Sequence, residues 1–181
     1  MPRYIEFVAE EEGVTARAEL WDDRAPRTCA LVWDLLPVTG HFHHAIYSGA
    51  EVAMVLPRYH ELAPEHATAA VLPWEIGFVS LRRVDHFDVE ADFSEFCFFY
   101  DRGARPSMLD GPVKVNLFAR FVSGQDALQR LCYRMRTEGQ KRFTIRRAKQ
   151  PPLAGEERVP AREERLGTAR DRRRDEACPR C

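Results

Sequence analysis

The chain has 181 residues, 45% of them hydrophobic and 30% charged, with a formal net charge of −1. That length allows one domain with an appendage, and a core that can stand without disulfides. Near-neutrality leaves no field to draw nucleic acid or anionic lipid, and no apolar run reaches membrane-spanning length, so neither is expected as a partner.

The N-terminal MPRYIEFVAEEEG enters alternation at once, without the basic–apolar–small order of a secretion signal, and a cytoplasmic location is expected. Ile5, Phe7 and Ala9 alternate with Tyr4, Glu6 and Val8. After EEEG, residues Val14, Ala16, Ala18 and Leu20 share a face, which predicts an N-terminal hairpin. In DDRAPRTCALVWDLLP the period changes: Cys29, Val32, Trp33 and Leu36 make a helical stripe. Asp22 or Asp23 is the expected cap, and Pro37 with Gly40 the stop.

A strand is predicted from Phe42 to Leu56, then a proline-bearing loop over 57–74. Two strands follow in WEIGFVSLR and SEFCFFYD, and another where Val113, Val115, Leu117, Ala119 and Phe121 alternate. The stretch SGQDALQRLCYRMRTEGQ reads as a second helix with a Ser123–Asp126 capping box and a stripe of Leu128, Leu131, Cys132 and Met135. A last strand, RFTIRR, ends the domain.

From residue 149 the composition turns to Arg, Glu, Asp and Pro without aromatics, too polar to offset its ordering entropy. The domain is read as 1–148 and the remainder, 149–181, as a charged, low-complexity tail. Of five cysteines, Cys29, Cys97 and Cys132 sit in apolar patterns and read as small buried hydrophobes; Cys178 and Cys181 form a terminal CPRC. Many short strands with two isolated helices predict a mainly β fold, a closed barrel with two helices, since closure removes exposed edges.

On FHHAIYSGAEVAM and MLDGPVKVNLFARFVSGQDALQRL the domain resembles the cyclophilin fold. Its layout is closer still to the uncharacterised bacterial and archaeal cyclophilin-like proteins of domain-of-unknown-function family 3830. That family is associated with a His-Ala-x-x-Ser-Gly strand, here His44, Ala45, Ser48 and Gly49, and a later Asn-x-Phe-Ala, here Asn116, Phe118 and Ala119. Two departures stand out: Tyr47 replaces a Trp before Ser-Gly, and Trp74 and Glu75 replace the Gly and Asp of a Pro-Gly-Asp turn.

The resemblance to cyclophilins implies a shallow barrel-side groove, where an arginine and a glutamine act on the prolyl amide and aromatic rings hold the proline. Here His44 stands in the arginine's place after Phe-His, and Cys97, Phe98 and Phe99 stand where cyclophilins read Gln-Phe-Phe. A neutral imidazole lacks a guanidinium's forked donors, so prolyl isomerase activity is not the first expectation.

The groove is instead expected to hold a small polar metabolite. His44 is the candidate acid or base, and Tyr47, Ser48, Glu51, Asn116 and Phe98 are the candidate ligand contacts. Strand alternation would set His44, Ile46 and Ser48 on one face. The other readings are that His44 packs in the barrel wall, and that the chain is an assembly protein, a possible homo-oligomer, with Trp21 and Trp74 exposed at an interface. His41 and His43 form an H-x-H pair, but a third metal ligand would have to come from His60, His66 or His86 in loops, so no metal and no cofactor is expected. Arg134, Arg136, Lys141, Arg142, Arg146 and Arg147 read as a solvated face.

Overall fold

The computed structural model describes residues 1–86 and 89–149. The expected tail, with its Cys178–Cys181 pair, lies outside them apart from Lys149. Strand β1 (Tyr4–Ala9) and β2 (Val14–Leu20) form the expected hairpin, followed by helix α1 (Pro26–Leu35) and β3 (Val38–His44). Next come β4 (Glu51–Val55), the short β5 (Ala67–Thr68), β6 (Glu75–Leu81) and β7 (Phe93–Phe99). A small hairpin of β8 (Ser107–Met108) and β9 (Gly111–Pro112) precedes β10 (Val115–Ser123), helix α2 (Gln125–Glu138) and β11 (Lys141–Ala148).

Eight strands close into a barrel in the order β2-β1-β11-β3-β4-β7-β6-β10, with β10 pairing back onto β2 and every pair antiparallel. Closure leaves no open edge among these strands. Alternation decides which side chains enter: Phe7, Phe42, Phe98 and Phe121 meet inside, with ring centroids 5.0 to 6.0 Å apart in tilted or edge-on contacts. Burying each such ring stabilises the fold by roughly 1.5–3 kcal/mol. Among the described residues no helix is long and apolar enough to cross a membrane.

Both helices present their expected stripes to the core: Cys29, Val32 and Leu36 after α1 begins, and Leu128, Leu131, Cys132 and Met135 along α2. Their caps differ from expectation. Neither Asp22 nor Asp23 caps α1; Asp22 pairs with Arg3 instead. The exposed amides are met by Glu65, 37 residues away, which accepts from the backbone of Thr28 at 2.7 Å and of Arg27 at 3.2 Å. Burial opposes this charge, yet the bonds from Thr28 and Arg27 win and hold the carboxyl at about 2. α2 has no Ser123–Asp126 box: it starts after Gly124, whose φ of 82° and backbone packed on Thr15 leave room for no Cβ.

The strand expected over 42–56 is two strands. β3 ends at His44 and β4 begins at Glu51, and Ala45–Ala50 form the loop between them. Gly49, at φ 70°, makes that reversal possible, because a Cβ there would lie 2.7 Å from the Gly103 carbonyl. Trp74 also takes a left-handed φ, 77°, which costs a non-glycine residue about 1–2 kcal/mol. A glycine, which the resemblance led one to expect at this turn, would take that conformation without the cost. Here the indole packs against the core, and neither Trp21 nor Trp74 is the exposed aromatic that was expected.

Half of the basic cluster near α2 is paired with carboxylates. Arg134 and Lys141 both contact Glu12 and Glu138, Arg146 meets Glu6 at 2.6 Å, and Arg147 lies over the Trp33 ring.

Candidate functional site

The β3–β4 register decides where the histidines go. His43 pairs with Ala53 and His44 with Val52. Paired residues share a face, and Val52 belongs to the barrel interior whereas Ala53 belongs to a second apolar cluster on its outside. His43 therefore faces outward and His44 turns toward the barrel interior. The expected placement of His44, Ile46 and Ser48 on one strand face fails, because 45–50 is not a strand.

His44 is fully engaged. Its Nδ1–H donates to the Ala45 carbonyl at 2.9 Å, which leaves Nε2 to accept from the Tyr100 hydroxyl at 2.6 Å. Tyr100 keeps its proton, because burial above all pushes it up to about 12. The two rings border a hollow of about 600 Å³ shared with Arg102, Tyr133 and Arg136.

The outer groove is a different place. The small β8–β9 hairpin and its flanks lie over the outside of β4, β7, β6 and β10, where Ala53, Cys97, Phe99, Val79 and Val115 form the second cluster with Met108. Ser48 fastens this cover. Its hydroxyl accepts from the Ser107 amide at 3.0 Å and donates to the Ser107 carbonyl at 3.3 Å, and its own carbonyl accepts from Arg105 at 2.9 Å. Beside the fastening opens a groove of about 280 Å³, bordered by His43, Tyr47, Glu51, Val55, Phe93 and Glu95. A deeper hollow of about 20 Å³, room for one water, lies between Glu51, Glu95 and Ser107.

Glu51 is 3% exposed, and its Oε2 has no hydrogen-bond partner, alone in that respect among the buried side-chain atoms of the described residues. Burial raises its pKa to about 7; the nearby Ser48 hydroxyl and Cys97 thiol pull it back only partway. Glu95, on β7, is raised to about 8 by burial and then by the charge of Glu51. Desolvation above all lowers His43, so its ring is neutral at physiological pH. Buried between the carboxyls, Cys97 stays a thiol, its pKa raised well above the usual value.

A family model described as a protein of unknown function (DUF3830) matches residues 8–146, well over half of the chain. The chain belongs to this family. Among solved structures, this DUF3830 chain is similar to McbB, in complex with tryptophan, at 21% identity and a TM-score of 0.57 over 82% of the chain. The chain spans 46% of that protein's length. It is also similar to the hypothetical protein AF2241 from Archaeoglobus fulgidus, at 17% identity and a TM-score of 0.53, covering 81% of this chain and 95% of that one. The Mimivirus cyclophilin aligns at 15% identity and a TM-score of 0.46, over 80% and 86% of the two chains. These likenesses concern the fold. No curated protein matches.

Of the candidate residues in this DUF3830 chain, Tyr47, Ser48 and Glu51 come together at the outer groove. The others are elsewhere. Phe98 is fully buried in the interior aromatic cluster, because alternation turns Phe96, Phe98 and Tyr100 inward and Glu95, Cys97 and Phe99 outward. Asn116 anchors the 57–74 loop: its amide donates to the Ala63 carbonyl at 3.1 Å and its oxygen accepts from the Glu65 amide at 3.0 Å. His43 and Glu95 were not singled out for this groove. The signal for Glu95 was a lone acidic residue alternating with the phenylalanines of SEFCFFY. No group of three or more potential metal ligands is found among the described residues.

Proposed function

We propose that this protein binds a small polar molecule in the outer groove, against His43, Glu51 and Glu95. One observation carries the reading: a carboxyl as deeply buried as Glu51 keeps an oxygen without a partner, at a cost of about 1–3 kcal/mol, on the wall of an open groove. A polar ligand atom would remove that cost. The groove's 280 Å³ lies just below the range of typical small-molecule sites, which favours a compact ligand. McbB, a structural neighbour, is itself solved with a small molecule, tryptophan.

A thermal-shift and ligand-detected NMR screen of metabolites against the full chain tests this. Hits are expected to be lost on filling the groove with Val55→Trp, at an already half-exposed strand position, and kept on Tyr133→Phe at the barrel end. Hits indifferent to Val55→Trp and lost on Tyr133→Phe would move the site to the hollow beside His44.

A second reading draws on the groove's rim. Ile46 is 85% exposed, Tyr47 53% and Val55 49%, a large apolar area beside a polar pocket. A neighbouring copy covering that rim is the corresponding assembly role. Light scattering that gives a monomer at high concentration removes it.

A further inference from the structure

We infer that the ligand of this groove presents a cationic nitrogen, a primary ammonium or amidinium head, to Glu51 and Glu95, with a short apolar body lying along Val55, Phe93 and Met108. This rests on the proposed binding role and specifies its chemistry.

The charge inventory of the groove is one-sided. β4 contributes Glu51, β7 contributes Glu95 and the neutral thiol of Cys97, β3 contributes His43, and the β3–β4 loop contributes the Tyr47 phenol. The covering segment adds Pro106, Ser107 and Met108. Among the described residues that line the groove and the hollow beneath it, none is a lysine or arginine. Elsewhere these acids find partners within the chain: Glu6 meets Arg17 and Arg146, Glu12 meets Arg134 and Lys141, Glu65 meets Arg27 and the α1 amides, and the buried Glu75 accepts from the Leu72 amide at 2.7 Å. Glu51 has no such cation, and its free Oε2 is an acceptor without a donor.

An anion is disfavoured by both carboxylates. A neutral acceptor could bond only to a protonated carboxyl. A nitrogen cation satisfies the free oxygen, restores charge balance, and lets the carboxyls ionise where they now resist it. The rest of the wall is apolar and narrow, so the head is expected on a short aliphatic or aryl-alkyl chain.

Binding must then release protons. At neutral pH the carboxyls are partly protonated and His43 is neutral; acidification protonates all three, and each change works against a cation. Three probes of one shape, n-butylammonium, n-butanol and butyrate, separate charge from size on the full chain by ligand-detected NMR.

n-Butylammonium is expected to bind at pH 8 and to weaken by ~10-fold or more at pH 5.5, as the ionised fraction of Glu51 falls. Calorimetry in buffers of different ionisation heat should show proton release at pH 7. Glu51→Gln is expected to weaken n-butylammonium by roughly 10-fold. Glu95→Gln should weaken it as well and provides an independent second test. Butyrate or butanol binding as well as the amine, or amine binding indifferent to pH and to both variants, overturns the cation and leaves the groove standing if Val55→Trp blocks the probe. Silence from all three probes overturns it as well, and the metabolite screen then judges the groove alone.

Discussion

The two faces of the β4–β7 pair are made by the same strands and hold different chemistry. Inward, Val52, Met54, Phe96, Phe98 and Tyr100 fill a core in which rings meet edge to face and the one hydroxyl bonds His44. Outward, Glu51, Ala53, Val55, Glu95, Cys97 and Phe99 form a surface that a short segment covers, burying a carboxyl without a cation. The inner face contributes stability; the outer face gives some up. Under the proposed function, the stability given up at Glu51 is the cost of a binding site set beside the second apolar cluster.

The largest expected effect breaks the inner face. Phe98→Ala removes a ring in contact with three others and should lower unfolding free energy by about 3–5 kcal/mol, read from urea denaturation. A loss below about 1 kcal/mol would mean the interior is not the packed aromatic core described.

On the outer face the sign reverses. Between the unfolded carboxyl value of about 4.3 and the folded value of about 7, the folded chain holds a proton on Glu51 that the unfolded chain has lost. Stability therefore falls as pH rises through that window and levels off above it, with Glu95 extending the decline to about 8. Glu51→Gln should flatten this slope and gain up to about 3 kcal/mol at pH 8, with little change at pH 4. A profile that stays parallel to that of the parent chain would show that Glu51 is not the buried acid it is taken to be.

Glu65 gives the opposite pH signature in the same molecule. Its folded pKa is depressed, so its contribution is present above about 4.3 and lost as pH falls through about 2. Glu65→Gln is expected to cost about 1–2 kcal/mol at neutral pH, with the difference closing in acid. Thermal melts from pH 7 down to 2 read this directly. Smallest of all, Tyr100→Phe takes away the His44 partner and should cost about 1 kcal/mol while leaving groove ligands untouched. Loss of groove binding in that variant would join the barrel end to the groove, and the separation drawn between His43 and His44 would fail.

Much of the barrel is legible in the sequence because its strands alternate cleanly. Ile5, Phe7 and Ala9, with Val14, Ala16, Ala18 and Leu20 after them, mark period two and all face the interior; the alternation of Val115, Leu117 and Phe121 fails at a register shift between Leu117 and Ala119, which leaves the first two outside the barrel and Phe121 inside. The loop at 45–50 was not legible: Ala45, Ile46 and Tyr47 are apolar and extend the pattern of β3 past its end, and Gly49 is the one turn signal. A reversal read as continuous strand gives wrong faces beyond it, and so puts His44 and Ser48 on one wall. Phe98 and Asn116 were drawn into the site by their motifs, but a motif carries no direction. Glu65 as a helix cap was invisible, since capping by a residue 37 positions away leaves no local pattern.

By itself the sequence determined the mainly β class, the two helices and their buried stripes, the family likeness, and Glu51 as a candidate ligand contact. These follow from local periodicity, which the backbone geometry of strands and helices imposes on neighbouring residues. Tertiary structure alone decided that His43 and not His44 faces the groove, that Glu95 stands beside Glu51, and that the segment over 104–112 covers them both. Such facts depend on strand register and on contacts between residues about 40 to 60 positions apart, where the side chain's surroundings, not its type, set its charge and its use.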